Sequence, residues 1–307
     1  MAFLRRSILI LFVLILSSGH LFAANEQRAF TAATAAFQAK MWSRAEVEFA
    51  QFKNDFPNST NVPQAVLLQA QAQFQQKKFT DAINLLKANQ IAAKNFEDQF
   101  IYWIGESQFA SGDYLDAADT FISLAQNFPD SSFMARGVVE AASSLAKLNN
   151  WPAVESLVGT NSIALNQKNA DVETVSRGQL LLAQAKFEQN NFGGAASVLE
   201  SINPKTLPPD LEWQRTDLLC RVIARSGDLP GALAVTTNLL KIARNNNLAA
   251  EVIALRGDLF QKSDLPNDAI AEYQKNLKAS VPLERQREAV LKIAEILAAQ
   301  NQFTNAA

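Results

Sequence analysis

Apolar residues along the chain recur at intervals of three and four, which is the spacing of helices that are buried along one face. The stretch from Phe100 to Ser131 shows this pattern twice. The first run ends at the turn Ser111-Gly112-Asp113, and the second opens at Tyr114. Phe128-Pro129 ends the second run, because proline cannot continue a helix. The stretch therefore predicts an antiparallel helix pair.

The same pair of runs recurs along the whole chain. The residue that opens each predicted second helix is called the anchor below, and successive anchors are 37, 35, 37, 41, 37, 37 and 37 residues apart. The anchors are Trp42, Phe79, Tyr114, Trp151, Phe192, Leu229, Pro266 and Phe303. One helix pair cannot cover its own apolar faces, so we expect successive pairs to stack into a solenoid.

Two fixed positions around each anchor carry small residues. Three positions after the anchors stand Ala45, Ala82, Ala117, Val154, Ala195, Ala232, Ala269 and Ala306. Nine positions before them stand Ala33, Ala70, Gly105, Ala142, Ala183, Cys220, Gly257 and Ala294. Seven positions after them stand the mostly large Phe49, Leu86, Phe121, Val158, Leu199, Thr236 and Tyr273. Small residues let two helices cross at close range, and the large ones fill the space beside that contact.

These offsets resemble the tetratricopeptide repeat over nearly everything after residue 25, most closely in Phe100–Ser131 and Leu255–Leu277. The phrases Asp55–Ser59, Asn127–Ser131 and Tyr102–Ser107 are similar to those of bacterial envelope members of the family. These include the periplasmic partner of the Tol–Pal cell-division system and the repeat lipoprotein of the outer-membrane β-barrel assembly machine. The resemblance implies an all-α, right-handed α-solenoid of about seven to eight tetratricopeptide helix–turn–helix repeats.

The N-terminal segment has the layout of a secretory signal. Arg5 and Arg6 precede the apolar run Ile8–Leu16, and small residues follow at Ala23 and Ala24. The run is too short for a membrane span, which needs about 20 residues. We expect cleavage after Ala23 or Ala24 and a periplasmic or otherwise exported chain with no transmembrane span and no lipidation cysteine. An uncleaved membrane anchor is the alternative interpretation.

The predicted layout has four parts. They are a signal peptide (1–24), repeats 1–5 (25–202), a Pro-rich link (203–212) and repeats 6–8 (213–307), the last of which is incomplete. Three prolines between Pro204 and Pro209 predict an extended link that divides the array into two sub-blocks. Because the last repeat stops halfway, we expect either a longer protein or a partner that covers this end.

Composition excludes several kinds of chemistry. The only histidine, His20, lies in the predicted signal, and the chain after Ala24 carries 26 basic and 30 acidic residues without a basic block. Nucleic acid is therefore not an expected partner. A single cysteine, Cys220, forms no intramolecular disulfide and suits a buried thiol. Without Ser-His or Cys-His triads, zinc ligands or a phosphate loop, we expect no enzymatic activity, no cofactor and no metal.

The resemblance implies where a partner would bind, because the first helix of each repeat in this family lines the concave face. Groove-facing positions then lie twelve, eight and five residues before each anchor. The candidate protein-binding residues are Phe30, Leu67, Tyr102, Glu106, Phe109, Arg221 and Arg225. Two interpretations of the row Phe37, Phe74 and Phe109 stay open: it either holds a peptide or seals neighbouring repeats. Likewise, Arg221 and Arg225 either recognise an acidic partner or form a solvated face.

Three functions fit the sequence. The first is an exported, non-enzymatic scaffold that binds an envelope protein or peptide in cell division or outer-membrane assembly. The second is the spacer or oligomerisation portion of a longer exported protein. The third is a repeat array that flanks a catalytic domain beyond residue 307.

Overall fold

The computed structural model describes residues 24–162 and 170–300, and all regular structure in these residues is helical. The described α-helices, numbered here in chain order, are α1 (24–38), α2 (Trp42–Asp55), α3 (Val62–Gln75), α4 (Phe79–Ala88), α5 (Glu97–Ser111), α6 (Tyr114–Asn127), α7 (Met134–Lys147), α8 (Trp151–Thr160), α9 (Val172–Glu188), α10 (Phe192–Ser201), α11 (Pro209–Arg225), α12 (Leu229–Ile242), α13 (Asn246–Lys262), α14 (Pro266–Gln274) and α15 (Leu283–Ala299). The predicted α-solenoid class is confirmed. The predicted signal peptide lies outside the described residues except for Ala24, and the anchor Phe303 also lies outside them.

The chain forms two compact units, Met1–Leu148 and Asn149–Ala307. In the first unit, each of helices α2 to α6 packs against the next helix along the chain. One apolar cluster joins α1, α2 and α3 through residues such as Ala33, Phe49 and Ala65. A second cluster joins α3, α4 and α5 through Leu86 and Phe100. The core of this unit is thus a series of contacts between consecutive helices.

The second unit is built in the same way from α8 to α15. Leu199 and Leu218 belong to a cluster that joins α10 and α11, and Cys220, Ala232 and Leu259 join α11, α12 and α13. A third cluster brings α14 and α15 together. Gly257 on α13 faces Tyr273 on α14, just as Gly105 on α5 faces Phe121 on α6, so the two units share one packing scheme.

The predicted small-residue positions are where the paired helices approach most closely. Within the described residues, all seven positions three after the anchors are buried, and so are seven of the eight positions nine before them. A Cβ atom added to Gly105 would lie 2.7 Å from Cε1 of Phe121, and one on Gly257 would lie 2.5 Å from Cε1 of Tyr273. The crossing therefore leaves no room for a side chain at these two glycines.

The Pro-rich link is less extended than the sequence predicts. Pro204–Thr206 forms a single turn of 3-10 helix, and α11 already begins at Pro209. Proline is compatible with the first turn of a helix because the N–H that it lacks would have no helical partner there. Ile202 and Leu207 are buried in the same cluster as α10 and α11, which ties the segment to the core.

No described helix in either unit has the length and apolar character needed to cross a membrane.

Candidate protein-binding surface

Tyr102 is the candidate residue with the most defined surroundings. It lies half-buried on α5, with its ring centroid 4.9 Å from that of Phe133 and 5.7 Å from that of Phe121. Burial raises the pKa of Tyr102, and the hydrogen bond to Glu106 and the nearby carboxylates of Glu106 and Glu140 raise it further. The phenol therefore stays protonated and donates to Glu106, one helical turn away. The pair presents a fixed aromatic ring with a polar tip.

The other candidates of the first unit lie in more apolar surroundings. Phe30 is half-buried on α1, and its ring centroid lies 5.3 Å from that of Phe52 on α2. Phe109 is half-buried near the end of α5, 5.3 Å from the anchor Tyr114. Leu67 is only 4% exposed and belongs to the core cluster of α3, α4 and α5. Leu67 thus offers a partner little surface.

The two remaining phenylalanines of the aromatic row pack differently from each other. Phe37 contacts the anchor of its own helix pair, Trp42, with ring centroids 5.2 Å apart. Phe74 lies 5.4 Å from its anchor Phe79 and 5.3 Å from Trp103 on the first helix of the next repeat. Phe74 therefore contributes to the packing between neighbouring repeats.

In the second unit, Arg221 is already engaged by carboxylates of the chain itself. Its Nε lies 2.7 Å from Oδ2 of Asp217, and its Nη2 lies 3.9 Å from Oε1 of Glu251 on α13. Burial acts to lower the pKa of Arg221, but the hydrogen bond and charge of Asp217, together with Glu251, outweigh it and raise the pKa. Arg225, in contrast, is exposed at the end of α11.

The ion pairs of this surface continue beyond the residues that the sequence singles out. Glu251 Oε2 lies 3.8 Å from Nη2 of Arg285 on α15. Lys292 on α15 lies 3.9 Å from Asp258 on α13, whose carboxylate also accepts a 2.5 Å hydrogen bond from Tyr273. Opposite charges thus alternate across the first helices of the last three repeats. Sequence periodicity could not find these pairs, because their members occupy different offsets from their anchors.

Comparison with known proteins places this packing in a family. A model described as a tetratricopeptide repeat-like domain matches residues 139–296, about half of the chain, and a tetratricopeptide repeat model matches residues 99–131. The chain belongs to the tetratricopeptide-repeat-like family. The second match contains Phe100–Ser131, where the repeat pattern of the sequence is clearest. No curated protein matches the chain.

Solved structures support the tetratricopeptide fold. The chain is similar to a tetratricopeptide repeat protein from Parabacteroides merdae, with a TM-score of 0.58 and 11% identity over 87% of this chain and 98% of that one. It is also similar to the C-terminal part of a TPR repeat-containing protein from Cytophaga hutchinsonii, with a TM-score of 0.62 and 13% identity over 85% and 98% of the two chains. The quorum sensor NprR from B. thuringiensis matches at a TM-score of 0.52 and 10% identity, over 91% and 95%. At these identities the likeness concerns the fold alone.

The tetratricopeptide fold is in general a non-catalytic scaffold for protein–protein interaction, which gives this chain its broad class of function. Among residues 24–162 and 170–300, no group of three or more His, Cys, Asp or Glu side chains is arranged to hold a metal ion. The chemistry that this surface offers consists of aromatic contacts, hydrogen bonds and ion pairs.

Proposed function

We propose that the protein is an exported scaffold without enzymatic activity that binds a protein or peptide of the cell envelope through the first helices of its N-terminal repeats. Export is supported by the charged and apolar N-terminal segment. An envelope role in assembly or cell division is supported by the repeat-closing phrases Asp55–Ser59 and Asn127–Ser131, which resemble those of envelope members.

The observation that carries the proposal is the arrangement of Tyr102 and Glu106. A half-buried tyrosine that is held by ring contacts loses little conformational entropy when it binds, and its hydroxyl is already oriented by Glu106. Binding sites for peptides commonly combine such an aromatic anchor with polar groups around it. Phe30 and Phe109 extend the aromatic character along α1 and α5. We propose that an extended or helical segment of the partner lies along these residues, on the concave face of the superhelix.

The test begins with capture of a partner from an envelope extract on the chain without residues 1–24, followed by titration with the purified partner. Tyr102→Ala with Glu106→Ala should weaken binding by at least ~30-fold, since a central anchor contributes about 2 kcal/mol or more. Tyr102→Phe keeps the ring contacts and should lose less, which separates the ring from its hydroxyl. Asp119→Ala, an exposed acidic residue on the second helix of the same repeat, is the matched control.

Helicity and thermal unfolding of each variant must match the wild type, because Tyr102 also packs on Phe133. Unchanged affinity of the folded double variant would place the binding site elsewhere.

The second candidate function is a spacer or oligomerisation portion of a longer exported protein. It is favoured by the exposed apolar side chains of the last described helix, where Leu283, Val290 and Leu291 are 60%, 54% and 65% exposed. The sequence of the full-length gene distinguishes this function, and any catalytic domain beyond residue 307, from the first.

A further inference from the structure

Two carboxylates stand at equivalent places in the two units. Glu46 on α2 follows its anchor Trp42 by four residues, and Glu155 on α8 follows Trp151 by four. Both side chains reach from the second helix of one repeat to residues of the next. Their side chains are 18% and 35% exposed, so Glu46 is the more shielded of the two and Glu155 is in greater contact with water.

Three donors from the following repeat converge on Glu46. The ammonium of Lys78 lies 2.7 Å from Oε2, the amide of Gln76 lies 2.8 Å from the same oxygen, and the amide of Gln73 lies 3.2 Å from Oε1. The hydroxyl of Ser43 donates to Oε1 of Gln76 at 2.8 Å, which turns the Gln76 NH₂ group toward Glu46. Every donor that contacts this carboxylate therefore comes from the neighbouring repeat.

The arrangement recurs at Glu155. The ammonium of Lys186 donates to Oε1 at 2.5 Å, and the amide of Gln189 donates to Oε2 at 2.7 Å. Gln189 and Gln76 both stand three residues before the next anchor, so the two joints use the same offset. One such joint connects α2 with α3, and the other connects α8 with α9.

The remaining joints lack an ionisable group at this position. The residues four after the other described anchors are Ile83, Ala118, Ala196, Leu233 and Ile270. Among the described repeats, a change of pH can therefore act through this position only at Glu46 and Glu155.

We propose that these two joints are acid-sensitive latches, which hold successive repeats together at neutral pH and loosen when Glu46 and Glu155 are protonated. A protonated carboxyl group loses its ion pair with lysine and presents a donor toward other donors. The charged group that faces Glu46 is Lys78, and the one that faces Glu155 is Lys186; the other donors are neutral amides.

The direction of the pH effect follows from the electrostatics. Burial acts to raise the pKa of Glu46, but the hydrogen bonds from Lys78, Gln73 and Gln76 outweigh it and lower the pKa below its ordinary value of 4.5. The hydrogen bond from Lys186 is the main reason that the pKa of Glu155 is lowered. A lowered pKa stabilises the closed joint above the ordinary carboxyl value, and this contribution is lost as the pH falls through the lowered pKa.

Hydrogen exchange measured by mass spectrometry between pH 7 and pH 3 tests the latches without any partner. In the wild type, protection of α2–α3 and α8–α9 should fall on acidification. The fall should be at most about tenfold per pH unit, between the ordinary pKa of a glutamate and its lowered pKa in the closed joint. The α4–α5 joint should keep its protection. Glu46→Gln should lower protection of α2–α3 already at pH 7 and remove its dependence on pH, but leave α8–α9 unchanged.

Glu48→Gln is the matched control, because Glu48 lies on the same helix and pairs with Arg44 within it, at 2.6 Å. This variant should retain the pH dependence of the wild type. The proposal is overturned if α2–α3 loses protection with the same pH profile in the wild type and in Glu46→Gln. It is also overturned if the α4–α5 joint opens over the same pH range as the two latches.

Discussion

The crossing of α5 and α6 allows the close-approach explanation of the repeat to be tested by one added methyl group. Gly105→Ala would place a Cβ atom 2.7, 2.8 and 2.9 Å from three carbon atoms of the Phe121 ring. Phe121 is fully buried, so its ring cannot swing into solvent. Either the ring or the helix must move.

Two opposing effects set the magnitude. Replacing glycine by alanine within a helix stabilises it by about 1 kcal/mol, whereas overpacking a core costs about 1–3 kcal/mol. The first repeat pairs Ala33 with Phe49 at the same offsets and buries both, which shows that a crossing of this kind can accommodate an alanine beside a phenylalanine. We therefore expect Gly105→Ala to lower the free energy of unfolding by a net amount of about 1 kcal/mol.

A double-mutant cycle separates the steric clash from the change in helix propensity. Phe121→Leu alone should cost about 1–2 kcal/mol through lost packing. Gly105→Ala combined with Phe121→Leu recreates the pair Ala70 and Leu86 of the second repeat, which are 1% and 0% exposed. The double variant should therefore be more stable than the sum of the single changes predicts, by about 1 kcal/mol or more.

Urea unfolding followed by far-UV circular dichroism gives the free energies, and hydrogen exchange in α5 and α6 locates the change. Because repeat arrays can unfold in parts, hydrogen exchange in α5 and α6 is needed in addition to the urea unfolding of the whole chain. Free energies that add within about 0.3 kcal/mol would refute the reasoning, because they would mean that the two side chains do not compete for space.

Two further predictions concern buried polar groups of the second unit. Burial raises the pKa of Cys220 to about 11, and its thiol donates to the carbonyl of Ala232 at 3.4 Å. We therefore expect Cys220 to resist a thiol reagent at pH 8 and to react fully in urea. Rapid labelling of the folded chain would contradict its burial. Arg256→Met should lower stability by about 1 kcal/mol, because the Glu272 side chain is 5% exposed and would lose its 3.0 Å ion pair with Arg256 while keeping the one with Lys275. Adding Glu272→Gln should recover part of the loss in urea unfolding, and no recovery would contradict the ion-pair explanation.

The repeat and its packing could be predicted from sequence because both depend on side-chain size at fixed offsets. A position such as that of Ala117 or Gly105 tolerates only a small residue, whatever the neighbouring repeats contain. The burial of Phe121 and Tyr273 followed from the same argument. The sequence does not predict the start of α11 at Pro209, because three prolines in six residues indicate an extended link, whereas proline is well suited to the first turn of a helix.

The candidate surface is harder to predict, because periodicity tells on which face of a helix a residue lies but not which side chains it contacts. Phe37 and Phe74 share one offset, yet only Phe74 contacts an aromatic ring of the next repeat, because Trp103 is present there. Periodicity does not predict the carboxylate contact at Glu46, because only Glu46 and Glu155 occupy this position among the described repeats, and a feature that most repeats lack leaves no periodic signal.

The charges of the two units explain why we place the partner on the first. In the second unit, Asp217 and Glu251 already engage Arg221, and Glu251 is shared with Arg285. A charged partner that bound at Arg221 would have to displace these pairs, and each ion pair that it formed would be offset by one that it broke. At Tyr102, a partner would add ring contacts to a side chain that Phe121 and Phe133 already hold in place. Partner binding through the first unit should accordingly depend little on ionic strength, whereas binding through the arginines of the second unit would weaken as salt is added.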